Sequence, residues 1–165
     1  MTDASANDIT AIRELFTEYT DAWAANDAAR IAGFWDRSDP YPLYKAEEIG
    51  HFLTDWSAIF DYWEVNEQLH ETIRLRFSKF NFKPLNRTEV MVTAHMRWDI
   101  RFALDAALPD GTPFMHRGKA MGGDNHVLAL IRKTGGAWKF AAWSETPDAP
   151  ITYVRKLYEK SARLD

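Results

Sequence analysis

Apolar residues recur at helical spacing in the first third of the chain and alternate with polar ones after it. Ile9, Ile12, Phe16, Tyr19 and Trp23 share one helical face, widened by Leu15 and Ala22, and predict a helix over residues 5–25. Ser5 with Asp8 three residues on has the form of a capping box. Asn26-Asp27 breaks the run, and Asp27 is placed to cap a short second helix from Ala28 to Trp35. Asp36 to Pro42 reads as a loop. Ile49, Phe52, Leu53, Trp56, Ile59, Phe60 and Trp63 fall at i, i+3, i+4, i+7, i+10, i+11 and i+14, which predicts a long third helix starting near Glu47.

After Glu67 the period drops to two. Ile73, Leu75 and Phe77 alternate with Arg74, Arg76 and Ser78. Val90, Val92, Ala94, Met96, Trp98, Ile100 and Phe102 alternate with Met91, Thr93, His95, Arg97, Asp99 and Arg101. Turns are expected at Pro84 to Arg87 and at Leu108 to Pro113. His126 to Lys133 and Trp138 to Trp143 form a hairpin across Thr134-Gly-Gly-Ala137. Ile151 to Leu164 reads as a closing helix with Tyr153, Leu157 and Tyr158 turned inward. Helices segregated from strands give an α+β class: three N-terminal helices packed on a curved antiparallel sheet, plus a C-terminal helix. Helices over a concave sheet leave a cone-shaped cavity suited to a small ligand.

Composition narrows what that cavity holds. The chain of 165 residues shows no repeat or linker and reads as a single domain, 1–165. With 24 Asp+Glu against 20 Lys+Arg and no basic cluster, no nucleic-acid partner is expected. No apolar run nears the roughly 18 residues of a membrane span. Met1 to Asp8 has no basic stretch followed by an apolar one, so no signal peptide is expected and a cytoplasmic location is the default. Without Cys there is no thiolate nucleophile or zinc–thiolate site. No two His share a metal-ligand spacing with a carboxylate, and neither a phosphate loop nor a nucleophile elbow is present, so chemistry without metal or cofactor is expected. Seven Trp, six Tyr and ten Phe exceed what a small core needs and favour a pocket for a flat apolar ligand.

The order of elements resembles the NTF2-like superfamily with its cone-shaped, cystatin-like fold, and within it the SnoaL-like group that includes scytalone dehydratase and ketosteroid isomerase. The stretches that carry the likeness are Glu18 to Asp27 with the segment Ala28 to Trp35, Glu47 to Phe52, and Leu130 to Phe140 with its Gly-x-Trp-Lys hairpin. The isomerases carry a substrate-oxygen-binding Tyr eight residues before the Asp that opens helix two, and Tyr19 holds that place before Asp27. Their base would fall on Leu43, and their second oxyanion donor near Leu128, so both of those groups are missing. The dehydratases carry a His at the start of the first long strand, where His70 stands; their second His maps near Ile100. Their tyrosine from the segment before the sheet corresponds to Tyr44 or Tyr41, and their polar pair on the penultimate strand falls near Asn125 and Val127. Family habit implies a homodimer, with a trimer also known, and Arg97, Asp99 and Arg101 on the outer sheet face as pairing groups.

Several side chains then become candidates for the chemistry. Tyr19 lies on the apolar stripe with Phe16 and Trp23; a phenol titrating near ~10 donates to an oxyanion rather than acting as a base. Strict alternation would turn His70 outward with Thr72 and Arg74, whereas a bulge before Ile73 would turn it into the cavity. Both parities beyond Asn125 are apolar, so alternation leaves His126 and Asn125 as alternatives for the pocket. His95 reads as an outer-face residue. Trp143 and Glu145 share a face near the cavity mouth, Trp143 either stacking on a ring or packing as core. Trp23 is expected to hold the ligand's rings. Trp56 and Trp98 read as core that doubles as cavity wall, and Lys45, beside Tyr44, as either a solvated loop residue or a desolvated acid–base group.

The expectation is therefore a cofactor-independent lyase acting on a small aromatic or polycyclic compound. It would eliminate water or release a small carbonyl fragment by retro-aldol-like cleavage. His70 or His126 would move the proton, and Tyr19, helped by Tyr44 or Asn125, would stabilise the oxygen that gains charge. The alternatives are a double-bond isomerase or cyclase of the same fold, or a ligand-binding or interaction module without chemistry.

Overall fold

The computed structural model describes residues 5–148 and 151–161, with residues 151–154 described by their backbone. Helix α1 (Ala6–Ala24) begins at the expected capping box: Ser5 accepts from the Asp8 backbone, and the Asp8 side chain accepts from the Ser5 backbone. Its inward face is Ile12, Leu15, Phe16, Tyr19, Ala22 and Trp23. Asn26 takes a left-handed conformation, φ 53°, which ends the helix, and Asp27 caps α2 (Ala28–Gly33) by accepting from the Arg30 N–H.

Strand β1 (Leu43–Lys45) lies in what the sequence reads as featureless chain. The third helix, α3 (Trp56–Leu69), starts nine residues later than Glu47 and runs on to the first long strand. The reason is local. Tyr44 and Leu53 exchange both backbone hydrogen bonds, at 3.0 and 2.9 Å, which ties residues 44–53 into a closed loop. Asp55, in extended conformation, caps the helix by accepting from Ala58. The apolar residues Ile49 and Leu53 thus reach the core from a loop and mimic a helical stripe.

Strands β2 (His70–Pro84), β3 (Glu89–Phe102), β4 (Ala120–Thr134) and β5 (Ala137–Pro147) form an antiparallel meander, and β1 adds in parallel to β5, so the sheet order is β1-β5-β4-β3-β2. The sheet is therefore mixed rather than wholly antiparallel. Gly135 (φ 60°) and Gly136 (φ 86°) make the β4–β5 turn, where two successive left-handed residues suit the sheet's twist. Three irregularities curve the sheet and reset which residues face inward. They fall between His70 and Thr72, between Ser78 and Asn81, and between Leu130 and Ile131. The last leaves Ala141 unpaired, so Phe140 and Trp143 both point inward across an odd spacing.

The core sits between α1, α2, α3 and the concave face. Phe16 meets Phe77, Phe80 and Phe140 edge-on at 5.1–5.2 Å. Helix α4 (Ile151–Ser161) carries Leu157 and Tyr158 exposed, not inward as the sequence implied; the side chain of Tyr153 and residues 162–164 lie outside the described residues. Among the described residues no helix is long and apolar enough to cross a membrane.

Candidate active site

The concave face and the helices enclose a cavity of about 420 Å³, within the range of small-molecule sites. Tyr19 and Trp23 reach it from α1, Tyr44 from β1, Tyr62 from α3, Trp98 and Phe102 from β3, and Trp143 from β5. Phe114 arrives from the β3–β4 connection, where its N–H donates to the Ala106 carbonyl at 2.9 Å. Among the described residues, four titratable groups other than phenols line the cavity: Glu47, Glu48, His70 and Glu145.

His70 is turned inward by the irregularity that separates it from Thr72, and is only 8% exposed. Its ring stacks on Phe102 at 4.7 Å, and Nδ1 lies 2.7 Å from the Asn66 carbonyl. A carbonyl only accepts, so Nδ1 carries the hydrogen and Nε2 the lone pair. Burial pushes the ring's pKa below its ordinary value, with the Asn66 carbonyl and the Glu48 charge opposing. The neutral, basic form therefore prevails near pH 7. Asn26, in its left-handed conformation, holds this corner by donating from Nδ2 to the carbonyls of Glu67 and His70.

Glu145 sits across the sheet from His70. Its Oε1 accepts from Trp143 Nε1 at 2.7 Å and its Oε2 from Asn125 Nδ2 at 2.9 Å. Burial pushes its pKa up to about 7, the Glu48 and Glu47 charges add to this, and the two hydrogen bonds oppose it. Glu47 is raised for the same first reason, burial, with Glu48 adding. Glu48 accepts from the Tyr62 hydroxyl at 2.6 Å. Tyr19 is 1% exposed and, among the described residues, its hydroxyl has no hydrogen-bond partner. Burial, and then the Glu145 charge, hold its proton on well above the ordinary phenol range. Burial does the same to Tyr44 and Tyr62.

The register resolves the ambiguity at residues 122–128. Met96 pairs with Asn125 and Ala94 with Val127, placing Gly123, Asn125 and Val127 on the concave face, although of this strand Met121 and not Asn125 lines the cavity. Asn125 is fully buried. His126 pairs with His95 and lies on the outer face, 6.0 Å ring to ring from it and 3.8 Å from Asp148. His126 is therefore not brought to the cavity; one residue of parity separates it from Asn125. Trp56 also falls outside: its Nε1 donates to the Asp39 carbonyl and its ring packs on Trp35 and Phe60. Lys45, on the other face of β1 from Tyr44, does not line the cavity either. Tyr41 is exposed, which leaves Tyr44 as the tyrosine of that segment. On the outer face Arg97 pairs with Asp99 and Asp124, and Arg76 with Asp99, so these charges have partners within the chain.

Sequence reasoning missed Glu47, Glu48, Tyr62 and Phe114. Gly50 beside the two glutamates was an available signal against a helix there. Tyr62, three residues after Ile59, was an available signal for a place on the inward stripe.

No family model and no curated protein matches the chain. Solved structures do. A candidate scytalone dehydratase from Novosphingobium aromaticivorans superposes with a TM-score of 0.71 at 12% identity, over 87% of this chain and 85% of that one. A candidate dehydratase of the NTF2-like family from Streptomyces avermitilis gives 0.69 at 14%, over 87% and 98%. A hexachlorocyclohexane dehydrochlorinase gives 0.66 at 12%, over 87% and 86%. Identities this low speak to architecture, and on that they agree with the helices and curved sheet described above: the chain has the cystatin-like fold of these structures.

Proposed function

We propose that the chain is a cofactor-independent lyase that uses general acid–base catalysis on a small aromatic compound held in this cavity. The observation that carries the reading is His70: turned inward, its Nδ1 committed to the Asn66 carbonyl, it keeps a basic Nε2 at an aromatic wall. For a β-hydroxy substrate, Nε2 removes the proton from the carbon next to the activating group. The electron pair left behind forms the double bond, and the hydroxide leaves with a proton from Glu145 as water. Tyr19, fully protonated, donates to the oxygen that gains charge. In a retro-aldol-like cleavage Nε2 would instead take the hydroxyl proton, the C–C bond would break to release the carbonyl fragment, and Glu145 would protonate the carbanion. The names of the dehydratases and the dehydrochlorinase of this fold describe eliminations, which supports the same reaction class here.

The test is a turnover screen, without added cofactor, of phenolic and β-hydroxy aromatic compounds with wild type and His70→Ala, read by liquid chromatography and mass spectrometry. The expected result is a product lighter by water or formaldehyde that disappears in the variant. A product of equal mass would make the chain an isomerase. Ligand binding without turnover would make it a binding module. Either overturns the lyase reading.

A further inference from the structure

We infer that the cavity selects substrates that carry a protonated amine next to an aromatic ring and rejects those that carry a carboxylate or phosphate. The inference rests on the cavity being the active site proposed above and names the substrate class it would take.

The first observation is the sign of the lining. Glu47, Glu48 and Glu145 border the cavity, and among the described residues no Lys or Arg does, although the chain has 20 of them. Each carboxylate meets only neutral donors: Trp143 and Asn125 on Glu145, Tyr62 on Glu48, and Asn125 and Trp98 beside Glu47. Among the described residues the one other titrating group at the cavity that is not a phenol, His70, is kept neutral by burial.

The second observation is the hydrogen-bonding balance of the cavity wall. Of the buried polar atoms that lack a partner among the described residues, two belong to residues that line the cavity, Tyr19 Oη and Trp98 Nε1, and a third, Asn125 Oδ1, lies behind Glu145. With His70 Nε2 and the carboxylate oxygens, acceptors outnumber the unpartnered donors there, Tyr19 O–H and Trp98 Nε1. A ligand that completes the site must bring donors. An ammonium brings three and no acceptor. The surrounding rings, Trp23, Tyr44, Trp98 and Trp143, are of the kind whose faces attract a cation. A ligand carboxylate would meet Glu145 and Glu47 with no compensating charge.

The groups that face Glu145 are Tyr19 from α1, Tyr44 from β1, Glu47 and Glu48 from the loop after it, and Tyr62 from α3. The phenols keep their protons near pH 7, so an arriving cation draws its proton release from Glu47, and Glu145 keeps the proton it donates in the elimination.

The experiment is isothermal titration calorimetry of the full chain with tyramine, tyrosol and 4-hydroxyphenylacetate, which share a phenol ring and differ in end-group charge. Tyramine should bind about tenfold more tightly than tyrosol, with the carboxylate weakest. In Glu47→Gln/Glu145→Gln the ratio of tyramine to tyrosol affinity should fall to about twofold or less. Should that variant fail to fold, titrations of wild type in two buffers of different ionisation enthalpy should show net proton release with tyramine and none with tyrosol. Equal affinities, tighter binding of the neutral or acidic compound, no binding of tyramine at millimolar concentration, or no proton release would each overturn the inference. Because the readout is binding, tyramine preference without turnover refutes the lyase reading alone, and turnover without amine preference refutes this inference alone.

Discussion

The two ends of the sheet treat carboxylates in opposite ways. At the β4–β5 hairpin end, Arg132 gathers three of them: Nη1 lies 2.6 Å from Asp39 and 3.4 Å from Asp36, and Nε 3.0 Å from Glu89. Burial would raise Asp36, but hydrogen bonds from Ser38, Thr134 and Arg132 outweigh it and hold its carboxyl below the ordinary value. Asn86 first, and then Arg132, does the same for Glu89. At the cavity end, Glu145 and Glu47 are raised, because burial there meets only neutral donors and like charges. A partnered carboxylate is structural, since its charge is already matched. One kept without a cation is destabilising to the folded chain and is retained for what it does with a ligand or a proton.

The sharpest way to break this contrast is at His70, the base proposed to work with Glu145. His70→Ala should lower turnover by ~10²–10⁴-fold, the usual worth of a positioned base, with the far-ultraviolet circular dichroism unchanged. A loss below tenfold would remove His70 from the chemistry. At the hairpin end, Arg132→Ala leaves Asp36, 4% exposed, without its cation and should cost about 2–4 kcal/mol in urea unfolding, with no specific effect on ligand affinity.

Glu145→Gln tests the other half of the contrast through pH. The Glu145 carboxyl binds its proton up to about pH 7 when folded, against an ordinary 4.5. Between those values the folded chain holds more protons than the unfolded one, so this group lowers stability as pH rises from 4.5 to 7. The cavity admits solvent, which discounts the effect. The variant should match wild type near pH 4.5 and exceed it by about 1–3 kcal/mol at pH 8, measured by urea unfolding. Asp36 and Glu89, held low, contribute in the opposite sense: their share is present above the ordinary carboxylate range and is lost as pH falls through their lowered values. The smallest change is at Gly123. A Cβ there would lie 2.8 Å from the Trp98 ring, so Gly123→Ala should tilt that indole and weaken aromatic ligands by ~3–10-fold.

Periodicity made most of the fold legible. The capped first helix, the Asp27 cap, the inward face of β3 and the two-glycine turn all follow from local patterns that tertiary contacts do not override. The third helix was misread because Ile49 and Leu53 enter the core from a loop closed by Tyr44, and a loop leaves no period of its own. The cavity-facing places of Tyr19, on the inward stripe of α1, and of His70, beside a strand irregularity, were legible from residue type and local pattern. The site was not legible at residues 122–128, because the strand beyond Asn125 and His126 is apolar on both parities and only pairing with β3 puts Asn125 rather than His126 on the concave face. Nor could spacing show that Glu47, Glu48 and Glu145 converge from a loop and the last strand, since convergence is a property of the closed sheet.

The contrast itself is tested most directly by following the side-chain carboxyl carbons of ¹³C-labelled protein by NMR across a pH titration, with Glu145→Gln and Asp36→Asn to assign the two resonances. The account predicts that Glu145 titrates near 7 and Asp36 below its ordinary 3.8. A Glu145 that titrates near 4.5, as a solvated glutamate does, would contradict it.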